Sequence, residues 1–361
     1  MAENSYEVVI FGSTPLAALM AGLLATRHHK RVCLVTDAGS AFRLPRGIDL
    51  SVMPVTRPET WALLKEATSE TLRLIGQIRA RQGMQRIDPI FAADGAEGSA
   101  AISHMRHVAS GFGYAVEPLP AGAASSDGAA YRLRDAVLLK RTELMPLIEA
   151  WLEQAGVGRL DDGELAVTLK RDGSARLRYA GSTIEAAHAV LADDAAILAH
   201  LDLSQGDRIL RVQRMTAMLT EPTGALAAPL MIYPESGVAL LRNRRGGVLA
   251  LGAGAPEIAH GHIGRYLFGH APLRQAGQGT FRTVATLDGA PLVGFARGFK
   301  GTVIAGLGIS GAFLAPALAR LIARTPSERE TRYFSAREAG NGNTRAAIAD
   351  YAGMAMGEAP T

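Results

Sequence analysis

The tightest constraint on this chain lies near its start. Glu7-Val8-Val9-Ile10-Phe11 is a short, mostly apolar run that ends at Gly12, and Ser13-Thr14-Pro15-Leu16-Ala17 leads into an alanine- and leucine-rich segment reaching Ala25. A second apolar run, Val32-Cys33-Leu34-Val35, gives way to Asp37, 25 positions after Gly12. Strand, tight turn, helix, strand and acid in that order make a dinucleotide-binding βαβ unit. The turn lets backbone approach phosphate oxygens, and the first N–H groups and positive dipole end of the helix face the anion. The acid can accept hydrogen bonds from ribose hydroxyls. The three glycine places of the usual spacing hold Gly12, Thr14 and Ala17. Ala17 is tolerated where helix packs on strand, Thr14 sets a β-branched side chain where backbone meets pyrophosphate, and Pro15 suits a first helical turn. The alternative reading is a βαβ unit that binds no nucleotide.

Composition narrows the function classes. The 361 residues carry 38 basic and 34 acidic side chains with no long Lys/Arg block, which argues against nucleic acid as a partner. Cys33 is the sole cysteine, so no internal disulfide can form, and its place in an apolar strand makes it a core residue. No basic n-region precedes Tyr6, and the apolar segment from Leu16 to Ala25 is too short to span a bilayer. The expectation is a cytoplasmic protein without a membrane span. No metal-ligand spacing and no Gly-x-Ser-x-Gly motif is present; His28-His29 and His260/His262 read as exposed histidines.

Along the chain, a loop from Ala38 to Asp49 carries Arg43 and Arg46, and a helix is expected from about Pro58 to Arg81. Residues 86–135 read as irregular, with turn residues such as Gly95, Gly98, Ser125, Ser126 and Asp127. Thr142 can cap a helix bearing Leu144, Ile148 and Leu152. Strands follow at Leu165–Leu169, Ala175–Tyr179 and Ile184–Ala192, the first two joined by the Lys170-Arg171-Asp172-Gly173 turn. Residues 208–254 alternate like an antiparallel sheet, with strands at Ile209–Val212, Met215–Leu219, Leu230–Tyr233, Val238–Leu241 and Val248–Leu251, and a helix is expected over Pro256–Leu267. A second strand-to-helix corner comes late: Thr302-Val303-Ile304-Ala305 reaches Gly306, Gly308 and Gly311, then a helix from Ala312 to Ala323. The polar tail from about Ser327 is expected to be partly ordered at best.

The two corners together resemble the D-amino-acid-oxidase-like family of FAD-dependent oxidoreductases, which includes glycine and sarcosine oxidases. The resemblance spans roughly residues 6–324, and its more specific part is Thr286-Leu287-Asp288-Gly289-Ala290-Pro291-Leu292-Val293-Gly294 with the late glycine turn and Ala315-Pro316-Ala317. It implies an α/β fold: a Rossmann-like FAD-binding domain (1–85, 140–207 and 282–326) with an inserted, mostly antiparallel substrate or cap domain (86–139 and 208–281), then a C-terminal tail (327–361). It implies FAD held at Gly12, Ser13, Thr14, Pro15 and Leu16, ribose at Asp37, a flavin-side loop at Arg43, Arg46 and Gly47, and adenine near Val167. The late turn at Gly306, Gly308, Ile309, Ser310, Gly311 and Ala312 would face the pyrimidine side of the flavin, where a helix end stabilises negative charge. Two departures stand out: Asp193 and Asp194 occupy the place of a family glycine, and Arg282 lies one position before the usual carboxylate-binding arginine.

The implied activity is oxidation of an amine or amino acid by hydride transfer to flavin, with a small-molecule substrate and an electron acceptor or protein partner. Arg46, Tyr233 and Arg282 are the catalytic-site candidates. Each has a plain alternative: Arg46 and Arg282 as surface or pairing arginines, Tyr233 as a half-buried aromatic of the sheet. Two other readings compete. One is a degenerate flavin-binding subunit with a structural or assembly role. The other is a flavin monooxygenase, which the stretches Arg141–Leu144 and Leu191–Ala195 resemble.

Overall fold

The computed structural model describes residues 5–120, 122–124, 128–203, 210–224, 226–267, 274–286, 289–296 and 298–337. Its first layer is built around the opening strand, Ser5–Phe11, which lies between Val32–Thr36 and the long strand Ser182–Leu191 and runs parallel to both. Both faces of this strand are covered, which is why Val8 to Phe11 is a continuous apolar run rather than an alternating one. Val8 and Ile10 face the main core; Val9 and Phe11 face a second core with Cys33, Val35, Ala175 and Leu177. Gly158–Asp161 extends the sheet beyond Val32–Thr36. Ser182–Leu191 carries the Ala166–Leu169/Ala175–Tyr179 hairpin along its first part and takes Phe299–Ala305 in parallel at Val190 and Leu191. The result is an eight-stranded mixed sheet.

The first helix, Pro15–His28, is buried from Pro15 to Leu24, so apolar residues surround it on all sides. It packs against the helices Arg141–Gln154 and Ala315–Ile322. Trp151 lies so close over Gly22 that no Cβ fits there.

A second eight-stranded sheet follows the order Gln275–Thr286, Leu210–Thr220, Val248–Ala253, Val238–Arg242, Leu230–Tyr233, Ile90–Ala92, Ala130–Leu133, Val116–Leu119. It is antiparallel except where Leu230–Tyr233 meets Ile90–Ala92. One face, with Met215, Ala217, Ile232, Leu251 and Phe281, joins the main core; the other, with Met218, Met231, Tyr233 and Leu240, is covered by the helix Pro256–Leu267. A three-stranded sheet (Asp49–Leu50, Met84–Ile87, Ala136–Leu139) completes the fold. The architecture is thus α/β, a Rossmann-like layer joined to a mostly antiparallel sheet. The Gln275–Thr286 strand runs unbroken past residue 282, where the sequence reading sets a domain boundary.

Several local expectations are corrected. Residues 96–111, read as irregular, form the helix Ala96–Gly111; Gly98 is there because an added Cβ would lie 3.0 Å from Ala93 Cβ as well as against Glu235. Thr142 caps nothing: the helix starts at Arg141, with Lys140 at its cap position and no side-chain cap bond. Met215–Leu219 and the described part of Ile209–Val212 belong to one strand, Leu210–Thr220. The late turn enters a 3₁₀ segment, Gly308–Leu314, before the α-helix begins at Ala315. The start of the tail, expected to be partly ordered at best, forms the helix Glu328–Ser335, where Ser327 and Glu330 make a reciprocal capping box. Glu330 is buried against Arg320, which also grips Glu70 on the Pro58–Gln77 helix at 2.7 Å. Ile209, Ser125 to Asp127, Leu287-Asp288 of the late motif and residues 338–361 of the expected tail lie outside the described residues. Among the described residues, no helix is long and apolar enough to cross a membrane.

Candidate cofactor and substrate site

The two strand-to-helix corners meet. A Cβ added at Gly311 would lie 3.6 Å from Leu16 Cδ2, and the helices that leave the corners pack side by side. At the first corner Gly12 adopts φ +155°, a conformation that L side chains rarely take, and an added Cβ would sit 3.0 Å from Ala17. Thr14, extended at φ −102°, caps the helix by accepting the Ala17 N–H at 3.4 Å. That cap is the physical use of a threonine where glycine is common. Pro15 fills the first helical position, and Leu16 is buried against the late turn. At the late corner Gly306 and Gly308 have φ +69° and +57°. Ser310, fully buried, donates its hydroxyl to Leu50 O at 2.7 Å, and Ile309, Gly311 and Ala312 are buried with it.

The acidic side of the groove is crowded. Asp37 donates its backbone N–H to Ser13 Oγ at 2.8 Å, accepts from Gly39 N at 2.8 Å, and pairs with the Arg43 guanidinium. Asp162 senses Asp37, Asp161 and Asp193, and its carboxyl is raised by burial and by these like charges. Asp193 reaches into the first turn itself. Its Oδ2 accepts the Ser13 N–H at 2.7 Å and its Oδ1 accepts the Ala196 N–H at 2.9 Å, capping the helix Asp194–His200. Burial raises the Asp193 carboxyl, opposed by these two backbone donors and by the guanidiniums of Arg141 and Arg46. Asp194 is pushed up to about 7 by burial and by Asp193, against one backbone bond from Val284.

The other side is basic and apolar. Arg46 is exposed and its guanidinium lies 5.6 Å from the Phe281 ring centroid. Gly47 faces Arg141, whose Nε holds the buried Asp49 at 2.6 Å. Leu44 of the same loop approaches Gly277, so residues 44–46 run along the Gln275–Thr286 strand. Met53 Cε lies 3.1 Å from a Cβ built on Gly308. Val167 sits half-buried on the Ala166–Leu169 strand, against the second core.

Two catalytic candidates fall elsewhere. Tyr233 is fully buried on the far face of the second sheet, its hydroxyl donated to Ala124 O at 2.6 Å and its ring stacked on Tyr266 at 3.6 Å. A side chain sealed in that core reaches neither corner. Arg282 is exposed, because strand alternation turns it away from the face that carries Phe281. Sequence reasoning missed Arg211, which shares the Phe281 face; counting back by twos from Met215 would have placed it there. A separate surface hollow of about 400 Å³, lined by Leu72, Arg73, Gly76, Gln77 and Arg81, lies at the far end of the Pro58–Gln77 helix, away from both corners. No cluster of described His, Cys, Asp or Glu residues suits a metal ion.

A scan of protein-family models gives no match, and no curated protein is similar in sequence. Solved structures are similar in fold. Glycine oxidase from Geobacillus kaustophilus is 17% identical over 92% of this chain and 98% of its own, with a TM-score of 0.68. Iminodiacetate oxidase from Chelativorans is 20% identical over 90% of this chain and 98% of its own, at 0.66. L-Proline dehydrogenase from P. horikoshii is 15% identical over 92% of this chain and 96% of its own, at 0.69. The shared fold spans nearly the whole of each chain.

Proposed function

We propose that this chain is an FAD-dependent oxidoreductase that oxidises an amine or amino acid. The observation that carries this reading is the meeting of Leu16 and Gly311, which brings the two strand-to-helix corners together. The fold is shared with oxidases of glycine and iminodiacetate and with a proline dehydrogenase, which supports the same chemistry. The donor set suits the cofactor: a glycine at positive φ, the amides of Ser13 and Thr14, an acid at Asp37, and cations at Arg46 and Arg141. Three of these groups already have partners within the chain: the Ser13 amide is held by Asp193, the Asp37 carboxylate by Arg43 and the Gly39 N–H, and Arg141 by Asp49.

On this reading residues 12–16 hold the pyrophosphate and Asp37 the adenosine ribose, once Arg43 yields one carboxylate oxygen. Val167 lies toward the adenine. Gly306, Gly308, Ile309, Ser310, Gly311 and Ala312 hold the flavin end, with the late turn fixed by the Ser310–Leu50 bond. Bound FAD supplies the hydride acceptor. Phe281 and Met215 give the apolar wall that excludes water, and Arg46 orients anionic groups beside it. The first-sheet layer acts as the cofactor domain and the second sheet as the substrate side. We place the protein in the cytoplasm, with a small-molecule substrate and a separate electron acceptor.

Absorbance tests the reading. The purified protein, or the protein after addition of FAD, is expected to show flavin bands that bleach anaerobically with an amine or amino acid. A protein that takes up no FAD at any pH between 5 and 8 overturns it. Bleaching only with NAD(P)H would favour the monooxygenase alternative.

A further inference from the structure

We propose that the hollow at the end of the Pro58–Gln77 helix binds a small organic phosphate, at a site apart from the cofactor groove. The inference stands independently of the oxidoreductase reading, because none of the lining residues belongs to either strand-to-helix corner.

Leu72, Arg73, Gly76 and Gln77 are three to four positions apart in pairs, so they share one face of the helix. Arg81 comes in from the segment that follows. A Cβ built on Gly76 would lie 3.3 Å from Arg81 Nε and 3.4 Å from its Nη2, so the bare glycine leaves the guanidinium room against the helix. The hollow of about 400 Å³ between these residues is within the range of small-ligand sites, roughly 300–1,000 Å³. Arg73 turns back along the helix and donates its Nε to Ser69 O at 3.3 Å, which leaves both terminal nitrogens for another acceptor. Gln77 accepts from Arg27 Nη2 at 3.4 Å. A guanidinium only donates, so the Gln77 oxygen faces Arg27 and its NH2 is left for a ligand.

Every polar side chain of the lining therefore offers donors, and none offers a carboxylate. Arg73 and Arg81 are exposed and make no ion pair with any described residue. The acids of the same helix are engaged elsewhere: Glu70 is held by Arg320 at 2.7 and 3.1 Å, with Arg27 at 3.9 Å, and Glu66 pairs with Arg329. The ordinary use of arginines at such a place is the helix end, whose last carbonyls lack partners within the helix. Here the backbone meets that need. Ile78 N–H reaches Leu74 O at 3.0 Å, Arg79 N–H reaches Gly76 O at 3.2 Å and Ala80 N–H reaches Ile75 O at 2.9 Å, with Arg79 at φ +58° in the left-handed position of a Schellman turn. The carbonyls that would repel an anion are thus occupied, and the Arg81 guanidinium is not spent on them. Two like charges on one hollow repel each other, and an anion between them relieves that cost. Donors arriving from three separate side chains suit a tetrahedral phosphate better than a planar carboxylate. Leu72 adds apolar contact for an organic group attached to it.

Calorimetry on the full-length protein tests this, in phosphate-free buffer of low ionic strength with FAD added to saturation, so that the probe does not enter the cofactor groove. The probe is phenyl phosphate, compared with inorganic phosphate, benzoate and benzyl alcohol. Phenyl phosphate is expected to bind most tightly of the four, and to weaken as sodium chloride is raised. The double variant Arg73→Gln/Arg81→Gln should bind it at least about tenfold more weakly, the loss expected for a charge-assisted hydrogen bond. Gly76→Leu keeps every donor, improves helix propensity and fills the hollow. It should bind at least about tenfold more weakly while melting no lower than wild type, which separates loss of the site from loss of the fold. Arg178→Gln, at an exposed position on the Ala175–Tyr179 strand, should match wild type. Wild-type protein that binds phenyl phosphate no better than benzyl alcohol or benzoate overturns the inference. So does equal affinity in wild type and the double variant, which would put the phosphate elsewhere. Failure to take up FAD is a separate result that sinks the flavin reading alone, because the comparison among these variants still decides the hollow.

Discussion

Asp193→Asn isolates the one contact at which the groove already holds an anion of its own. Asparagine keeps one oxygen for the Ala196 N–H of the helix cap and turns its NH2 toward Ser13, so the cap is preserved while the charge and the acceptor of the Ser13 N–H are lost. In the wild-type protein an incoming diphosphate must displace a charge-assisted hydrogen bond worth about 1.5–3 kcal/mol. A carboxylate left about 4 Å from phosphate adds repulsion of about 4 kcal/mol at an effective dielectric of 20. Arg46 and Arg141 screen part of this, and burial, by raising the carboxyl, favours its neutral form as pH falls. We take about 2 kcal/mol as the net effect, or roughly 30-fold tighter FAD binding in Asp193→Asn. FAD fluorescence quenching in titrations of apo-protein at pH 8 measures it. The sign with pH follows from the raised carboxyl: wild-type affinity rises as pH falls and Asp193 is neutralised, and the variant's profile is flatter. An Asp193→Asn protein that binds FAD no better than wild type at pH 8 refutes the reasoning.

Three further outcomes are expected. Asp194, pushed up to about 7, holds its proton more tightly in the folded than the unfolded chain. Stability therefore falls as pH rises from the ordinary carboxylate value toward 7, by no more than about 4 kcal/mol, and urea unfolding at pH 5 and pH 8 should show a smaller fall in Asp194→Asn. Glu330→Gln leaves half-buried Arg320 with only Glu70 as its ion-pair partner and should cost about 2–3 kcal/mol in denaturant unfolding, whereas Ser327→Ala should cost only about 1 kcal/mol through the lost cap. Gly12→Val forces a branched side chain into φ +155° against Ala17 and Asp193. It should abolish FAD uptake at a stability cost of about 1–3 kcal/mol, and a variant that still loads FAD normally would count against residues 12–16 as the cofactor turn.

Much of the frame could be read from residues because it depends on local signals. Val8 to Phe11 with Gly12, and Thr302 to Ala305 with Gly306, name their strand-to-helix corners by composition alone. The alternation from Leu230 to Leu251 likewise marks its strands. The failures share a cause, tertiary contacts that override local preference. Gly95 and Gly98 read as turn residues, yet Gly98 lies in a helix where Ala93 and Glu235 come too close for a side chain. The polar stretch after Ser327 read as partly ordered at best, because the partner of its buried Glu330, Arg320 on the preceding helix, which also holds Glu70, is invisible in a local window. Tyr233 was placed by its strand but not by its face, and its parity with Met231 rather than Ile232 decided the matter.

The position of Asp193 also bears on why such a groove can exist without its ligand. The turn directs the Ser13 N–H toward a point that also feels the charges of Arg46 and Arg141. Left empty, that point would carry an unsatisfied donor beside positive charge, which is unfavourable. Asp193 supplies the missing anion from within the chain, tethered and always present, and fixes the turn at the same time by capping the next helix. Cofactor binding on the proposed reading is then an exchange of an internal anion for an external one. Stability of the apo-protein and affinity for the cofactor become opposed quantities at this residue. Asp193→Gly, which removes both the anion and the cap, should separate them: it should melt at lower temperature than wild type without FAD, and regain that loss or more when FAD is saturating. A variant that is destabilised equally with and without FAD would mean that Asp193 serves only the helix it caps.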